Sequence, residues 1–239
     1  MTNTQNILII VTNADEFDNT GLRTGLWLSE LVHFFEVAEK AGYHMDIASP
    51  LGGEIPLDPQ SLIIPHLTNA LGLTGKLTKR YKDKNFRTLL NNTLKISEAD
   101  VNNYDAIYLT GGHGVMFDFT ENETLAKLIA NFYEAGKIVS AVCHGSAGLL
   151  NVKLSNGQYL VYGKNVSGFS WNEEKLARLD KAVPYNLEEE LKKRRANYSK
   201  ALLPFGSHVV VDGQLITGQN PISAKGVGKA VVNLLDKSK

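Results

Sequence analysis

Short apolar runs alternate with stretches of helical periodicity along the first 50 residues. A β-branched run over residues 6–12 gives way to polar residues at 13–15, which is typical of a buried parallel strand that ends in a loop. Residues 28–41 carry apolar side chains at helical spacing, and Gly42 follows as a stop signal. With a further apolar run at 43–48, the pattern predicts two parallel strands joined by a right-handed helical crossover.

The same alternation returns in the second half of the chain. It predicts strands at 106–110 and 138–142 with a helix at 123–135 between them, then a helix directly after Cys143, a strand pair near 159–166, a helix at 187–197, a hairpin at 208–217 and a final helix at 223–235. We therefore expect a single α/β domain over residues 1–239. Its predicted fold class is doubly wound and flavodoxin-like, with a mostly parallel sheet sandwiched by helices.

The segment between residues 52 and 101 breaks this pattern. Prolines and glycines interrupt it, and a charged run covers residues 76–87. We interpret the segment as a small cap-like insertion after the second strand. Because acids and bases are mixed in the charged run, we interpret that run as a solvated helix face.

Composition and motifs exclude several classes of protein. Lys and Arg number 25, as do Asp and Glu, so no net charge attracts nucleic acid or an anionic membrane. The chain shows no signal-peptide pattern and no stretch of ~18 apolar residues, which predicts a cytoplasmic protein. The histidines lack zinc-site spacing, and neither a dinucleotide fingerprint nor a P-loop occurs. We expect no cofactor and no metal.

The chain has one cysteine, and its position suggests chemistry. Cys143 follows the strand at 138–142 and precedes small residues at 145–147. Such a strand-to-helix corner lifts a side chain clear of the sheet, where the helix dipole and nearby amides lower a thiol pKa from ~8.5. Free cysteines are more often buried packing residues. The adjacent His144 nevertheless favours a nucleophile.

Several other residues are candidate partners of the sulfur. His144 can act as base or acid if the turn directs its ring toward Cys143, and Glu173 or Glu174 could orient that ring. The alternative is that both acids only begin a solvated helix. Glu30 lies in the helix after the first strand, where a buried carboxyl beside a thiol could shuttle a proton. The amides of Gly112 and His144 could form an oxyanion hole.

Four motifs in order resemble the PfpI-like superfamily, which shares the fold of class I glutamine amidotransferases. They are Glu30, the turn Gly111-Gly112-His113-Gly114, the segment 141–145 and the Gly-Phe segment at 168–174. The similarity runs nearly end to end, and the insertion, the length and the motif order look most like the heat-shock chaperone and glyoxalase III branch. Ser146 departs from the proline often seen after the Cys-His-Gly.

The resemblance assigns roles to these residues. It implies a nucleophile at Cys143, a partner at His144, and a triad acid five residues after the Gly-Phe phenylalanine. That acid is Glu174, with Glu173 as the fallback. It also implies that Glu30 contacts the sulfur and that the Gly112 and His144 amides form the oxyanion hole.

The branch resemblance also implies an activity. The expected enzyme is a glyoxalase III-like lyase that converts methylglyoxal and similar 2-oxoaldehydes to 2-hydroxy acids such as D-lactate, without glutathione or a cofactor. A hemithioacetal on Cys143 is the expected intermediate. Further expectations are deglycase or holdase chaperone activity, unfolded or glycated proteins as partners, and a homodimer. Some members hold a metal in the cap, but its ligands find no match in this sequence.

Two other functions stay open from the sequence. The same fold and cysteine would serve acyl transfer in an amidohydrolase or peptidase, although the late His-x-Glu pair expected of a glutaminase is replaced by His208-Val209-Val210. A non-enzymatic holdase would instead use exposed apolar surface on the cap. Proteolysis that is lost in Cys143→Ala would indicate the first, and suppression of aggregation that survives this change would indicate the second.

Overall fold

A computed structural model describes residues 5–18, 20–62 and 75–237 of the chain. The strands are β1 Asn6–Ile10, β2 His44–Ser49, β3 Leu94–Lys95, β4 Ala106–Leu109, β5 Ile138–Val142, β6 Asn165–Val166, β7 Asn197–Tyr198, β8 Val209–Asp212 and β9 Leu215–Gly218. The α-helices are α1 Leu28–Lys40, α2 Gly75–Lys82, α3 Lys84–Asn91, α4 Val115–Asp118, α5 Glu123–Glu134, α6 Trp171–Ala177, α7 Leu187–Lys193 and α8 Ala224–Lys237. Short 3-10 helices cover Ile96–Glu98, Val101–Asn103, Cys143–Leu149 and Pro221–Ser223.

Seven of the described strands form one sheet in the order β3-β2-β1-β4-β5-β9-β8, in which β8 and β9 pair antiparallel and all other neighbours are parallel. Residues 7–10 of β1 are fully buried, because helices cover both faces of a parallel sheet. The strand order reverses between β1 and β4. The carboxyl ends of these strands therefore border the crevice in which doubly wound folds place their sites. The predicted fold class is confirmed.

Helices α1 and α8 pack against each other, and α5 packs against β4 and β5. The ring of Phe34 in α1 stacks on Tyr108 of β4 with 3.7 Å between centroids, which fixes the helix over the sheet. This anchoring matters for the site because Glu30 lies one turn earlier on α1. No helix within the described ranges is long and apolar enough to cross a bilayer.

The helix predicted directly after Cys143 is present and is a 3-10 helix. The turn lies close under β4, since a Cβ placed on Gly145 would stand only 2.5 Å from the carbonyl oxygen of Leu109. Glycine permits this approach because it has no side chain. The result is a tight corner that holds residues 143–149 against the end of the sheet.

Two element predictions are wrong in detail. Around residues 159–166, Tyr159 makes an isolated bridge with Lys153, and β6 pairs in parallel with β7. The helix predicted at 187–197 ends at Lys193, because Arg195 takes a left-handed backbone conformation with φ of 61°. The chain then continues into β7.

The described part of residues 52–101 includes the edge strand β3 and the helices α2 and α3. β3 pairs in parallel with the end of β2, and α2 and α3 follow each other before it. Arg80 of the charged run lies over the rings of Phe35 and Phe86 and pairs with Glu39 at 2.8 Å. Part of that run is therefore packed against α1 and not only solvated. Residues 63–74 of the predicted cap lie outside the described residues.

Candidate active site

Cys143 stands at the corner where β5 enters the 3-10 helix. Its φ of 57° lies in the left-handed region, which costs a residue with a side chain roughly 1–2 kcal/mol. The side chain is only 3% exposed, yet it lines a cavity of about 520 Å³. The strained corner therefore places a buried sulfur at the wall of this cavity, as expected of a nucleophile elbow.

His144 and Glu174 extend from the sulfur as a hydrogen-bonded chain. His144 Nδ1 lies 3.4 Å from Cys143 Sγ, and His144 Nε2 lies 2.7 Å from Glu174 Oε2. Helix α6 carries Glu174 to this position, and its start is fixed by a capping box between Ser170 and Glu173. The structure thus joins the adjacent pair Cys143 and His144 to an acid that lies 30 positions further along the sequence.

The protonation states of His144 and Glu174 determine which group donates each hydrogen bond. Burial by itself raises the pKa of Glu174, but the neighbouring imidazoles, His144 first, outweigh it and hold that pKa well below its usual range. Burial, and then His113, lowers the pKa of His144. The imidazole is therefore neutral at pH 7, its Nε2–H donates to the Glu174 carboxylate, and its Nδ1 lone pair faces the sulfur. His144 is placed to remove the thiol proton.

His113 is a member of the site that the sequence pattern did not identify. Its Nε2 lies 2.8 Å from Glu174 Oε1, and its ring centroid lies 4.0 Å from that of His144. One carboxylate is therefore shared by two buried imidazoles. The residue could have been found from its place just after β4, because the carboxyl ends of neighbouring parallel strands meet at one edge of the sheet.

These three side chains also form a set of possible metal ligands. Their donor atoms all lie within 4.8 Å of one another, and all three residues are buried. Two histidines and a glutamate are a common donor set for zinc. Both Nε2 protons would have to leave before a metal could bind, and the Nε2–carboxylate distances of 2.7 and 2.8 Å are those of hydrogen bonds.

Glu30 lies against the sulfur from the opposite element. It is fully buried, and its Oε2 accepts a hydrogen bond of 2.7 Å from the Gly111 amide. Burial raises the pKa of Glu30 to about 8, although Cys143 and the Gly111 amide oppose that rise. The carboxyl is thus mostly protonated at pH 7 and can donate a proton toward the sulfur or a bound substrate.

The expectation of a lowered thiol pKa at Cys143 is wrong for the free protein. Burial raises the pKa of this thiol well above its ordinary value, and Glu30 adds to the rise, whereas the His144 amide lowers it. That expectation took into account only the helix dipole and the nearby amides. The short 3-10 turn lies inside the protein, where desolvation of a thiolate outweighs the favourable amide.

Glu173, the alternative triad acid, has a structural role and accepts hydrogen bonds from several segments of the chain. Its oxygens accept hydrogen bonds from the amide and hydroxyl of Ser170, the amide of Phe205, and the side chains of Gln219 and Asn220. These donors come from three separate segments of the chain. Glu173 therefore joins the segments that surround the cavity, and Glu174 is the acid that contacts the imidazole.

The two residues whose amides were predicted to form an oxyanion hole lie beside the same cavity as the sulfur. Gly112 and His144 both line the cavity together with Cys143. Gly112 has φ of 107°, a conformation that favours glycine, and the carbonyl of the preceding Gly111 accepts from the Trp27 amide. The backbone at this turn is therefore fixed, and the role of its amides stays a prediction.

The fold and site define a class of protein with a buried Cys-His-Glu chain at the switch point of a doubly wound sheet. The chain belongs to the DJ-1/PfpI family, whose model matches residues 22–234.

Named relatives match nearly the whole chain. It is 32% identical to Glyoxalase 3 of Candida albicans over 95% of this chain and 96% of that one. It is 29% identical to the glutathione-independent glyoxalase HSP31 of Saccharomyces cerevisiae over 91% and 92%. The crystal structure of glyoxalase III from Candida albicans superposes with a TM-score of 0.85 at 31% identity, covering 96% of each chain.

Proposed function

We propose that this protein is a glutathione-independent glyoxalase of the glyoxalase III branch, which converts methylglyoxal and similar 2-oxoaldehydes to 2-hydroxy acids. The observation that carries the proposal is the Cys143-His144-Glu174 chain facing Glu30 at the wall of a cavity. The similarity to proteins named as glyoxalases over more than nine-tenths of the chain supports the same activity.

The reaction begins when His144 Nδ1 takes the proton of Cys143 as the sulfur adds to the aldehyde carbon. The product is a hemithioacetal, and the amides of Gly112 and His144 hold its oxygen as negative charge develops. Coupling deprotonation to addition avoids a free thiolate, which the buried site disfavours. Glu174 stabilises the imidazolium that forms, because its carboxylate already accepts from Nε2.

The second stage moves one proton between adjacent carbons. A base removes the proton of the former aldehyde carbon to give an enediolate, and a proton delivered to the former ketone carbon gives a thioester of the 2-hydroxy acid. His144 first passes the thiol proton to the hemithioacetal oxygen and is then free to act as acceptor, while Glu30, protonated at neutral pH, serves as donor. Water then cleaves the thioester and restores the thiol. The substrate is oxidised at one carbon and reduced at the next.

The test is a lactate-formation assay with methylglyoxal in the absence of glutathione. We expect near-complete loss of activity in Cys143→Ser and Glu30→Gln, and partial loss in Glu174→Gln, because an amide still accepts a hydrogen bond from the imidazole. Glu173→Gln is the matched control at the neighbouring position: we expect it to change KM through the cavity and not to abolish turnover. Equal turnover by wild type and Cys143→Ser refutes the proposal.

Contact with unfolded proteins is a second activity that one observation favours. Leu202 is 98% and Leu203 is 71% exposed, and such adjacent apolar side chains suit transient binding of client chains. A Leu202→Ser/Leu203→Ser double variant should lose suppression of citrate synthase aggregation and keep lactate formation. Retained suppression would contradict this assignment. A cytoplasmic location and a homodimer both stay predictions. Light scattering after size-exclusion chromatography tests for the dimer.

A further inference from the structure

The cavity above Cys143 is much larger than methylglyoxal requires. A water molecule, with one non-hydrogen atom, occupies ~30 Å³ in the liquid. At the same volume per non-hydrogen atom, methylglyoxal occupies roughly 150 Å³. The cavity of about 520 Å³ thus leaves roughly 370 Å³, more than twice the ~150 Å³ in which apolar side chains hold a benzene molecule. A substrate with a larger substituent on the ketone carbon would fill this space.

The cavity is lined mainly by apolar side chains, apart from the polar groups beside the sulfur. The larger apolar residues of the lining are Trp27, Leu77, Phe169, Leu179, Phe205 and Ile222. Besides Ser29, His33 and Gln60, the lining has two polar residues that already have partners: the Ser61 hydroxyl donates to the Asp58 carbonyl, and the Asn220 amide donates to Glu173 and the Gly206 carbonyl. A polar substituent would gain little from them, while an apolar one would bury its surface.

One wall of this space is held in a strained conformation. Phe205 has φ of 59°, a left-handed geometry that is unfavourable for an aromatic residue. Its amide donates to Glu173 Oε1 at 2.8 Å, so the buried carboxylate fixes the backbone that carries the ring. The Phe205 ring lies 6.5 Å from that of Phe169, which in turn lies 4.4 Å from His144. A series of rings thus connects the catalytic imidazole to Phe205 in the cavity lining.

We propose that the preferred substrates are 2-oxoaldehydes whose ketone carbon bears a bulky apolar group, a branched or cyclic alkyl or an aryl ring, and that Phe205 and Ile222 select that group. This inference rests on the proposed glyoxalase function. The chemistry is unchanged and balanced: the R–CO–CHO substrate takes up one water and gives R–CHOH–COOH, as the aldehyde carbon is oxidised and the ketone carbon is reduced.

The experiment compares kcat/KM for three 2-oxoaldehydes without glutathione. Cyclohexylglyoxal has carbonyl groups electronically close to those of methylglyoxal, and 3-deoxyglucosone matches it in size but is polar. We expect cyclohexylglyoxal to exceed methylglyoxal by at least ~10-fold, the discrimination that buried apolar groups provide in enzyme pockets, and 3-deoxyglucosone to fall below cyclohexylglyoxal by a similar factor. Methylglyoxal turnover with no gain for cyclohexylglyoxal overturns this inference alone. Absence of turnover with every substrate overturns the proposed function.

Two variants test the wall itself. Phe205→Asn removes the ring but keeps a residue that tolerates the left-handed backbone, and we expect the cyclohexylglyoxal-to-methylglyoxal ratio to fall at least ~10-fold. Arg195→Asn is the matched control, since Arg195 has φ of 61° and is not part of the cavity lining, and its ratio should stay at the wild-type value. Ile222→Ser, at a residue 61% exposed, should lower the ratio even if Phe205→Asn does not fold. An unchanged ratio in a folded Phe205→Asn or in Ile222→Ser overturns the assignment.

Discussion

Replacing Glu30 by glutamine should abolish activity. It should also stabilise the protein relative to wild type, by an amount that grows as pH rises. The carboxyl has a pKa of about 8 in the folded protein and 4.5 as its reference value for the unfolded chain. A raised acid pKa means that the folded state holds the proton more tightly, so stability is fully present below pH 4.5 and is lost as pH rises toward 8. Glutamine does not ionise and removes this loss.

The magnitude follows from the difference between the two pKa values. At ~1.36 kcal/mol per pH unit, the buried carboxyl lowers the free energy of unfolding by about 3 kcal/mol at pH 7 and by about 5 kcal/mol above pH 8, relative to acid conditions. A typical domain has only ~5–15 kcal/mol of stability in total. Glu30 therefore destabilises the fold at neutral pH, as expected of a residue that serves the reaction and not the fold.

The assay is urea denaturation at pH 5, 7 and 8.5. The free energy of unfolding of Glu30→Gln should exceed that of wild type by about 1 kcal/mol at pH 5, and this difference should grow with each step in pH. Glu36→Gln, on the same helix and partly exposed to solvent, controls for the chemical change alone. If the advantage of Glu30→Gln over wild type is the same at all three pH values, the argument from burial is refuted.

Three further predictions follow from other parts of the structure. His113→Gln should lower kcat and move the acid limb of the kcat/KM profile to higher pH, because His113 lowers the pKa of His144; a limb that stays in place would contradict this. Asp118 is buried, and burial raises its pKa from 3.8 to about 6, so wild-type stability should fall by about 2 kcal/mol between pH 4 and 6 through this group. Urea titrations of Asp118→Asn should show that fraction of the pH slope removed. Gly145→Ala should lower stability by at least ~2 kcal/mol, because its Cβ would stand 2.5 Å from the Leu109 carbonyl oxygen; a normal melting temperature would show that the corner can relax.

Periodicity predicted the sheet and its long helices well, and failed where tertiary contacts decide. β5 has its predicted bounds and α1 ends one residue early, because long apolar patterns are formed by the same contacts that bury them. The turn at Cys143 is set instead by its close approach to Leu109, which no local pattern encodes. The thiol pKa was misjudged for the same reason, since burial depends on elements distant in sequence. His113 was missed because its partner is 61 positions away.

The neighbours Glu173 and Glu174 show how one short helix can serve two parts of a site. Successive helical residues point about 100° apart, so Glu174 reaches the two imidazoles while Glu173 reaches the amide of Phe205 and the segments beside it. A rotation or shift of α6 would disturb both at once. Proton transfer at the sulfur and the shape of the apolar wall are thereby mechanically linked, so substitutions at Glu173 should alter substrate preference first and turnover second. The same geometry explains why the residue pattern by itself left the choice between the two acids open, and why only the family resemblance pointed to Glu174.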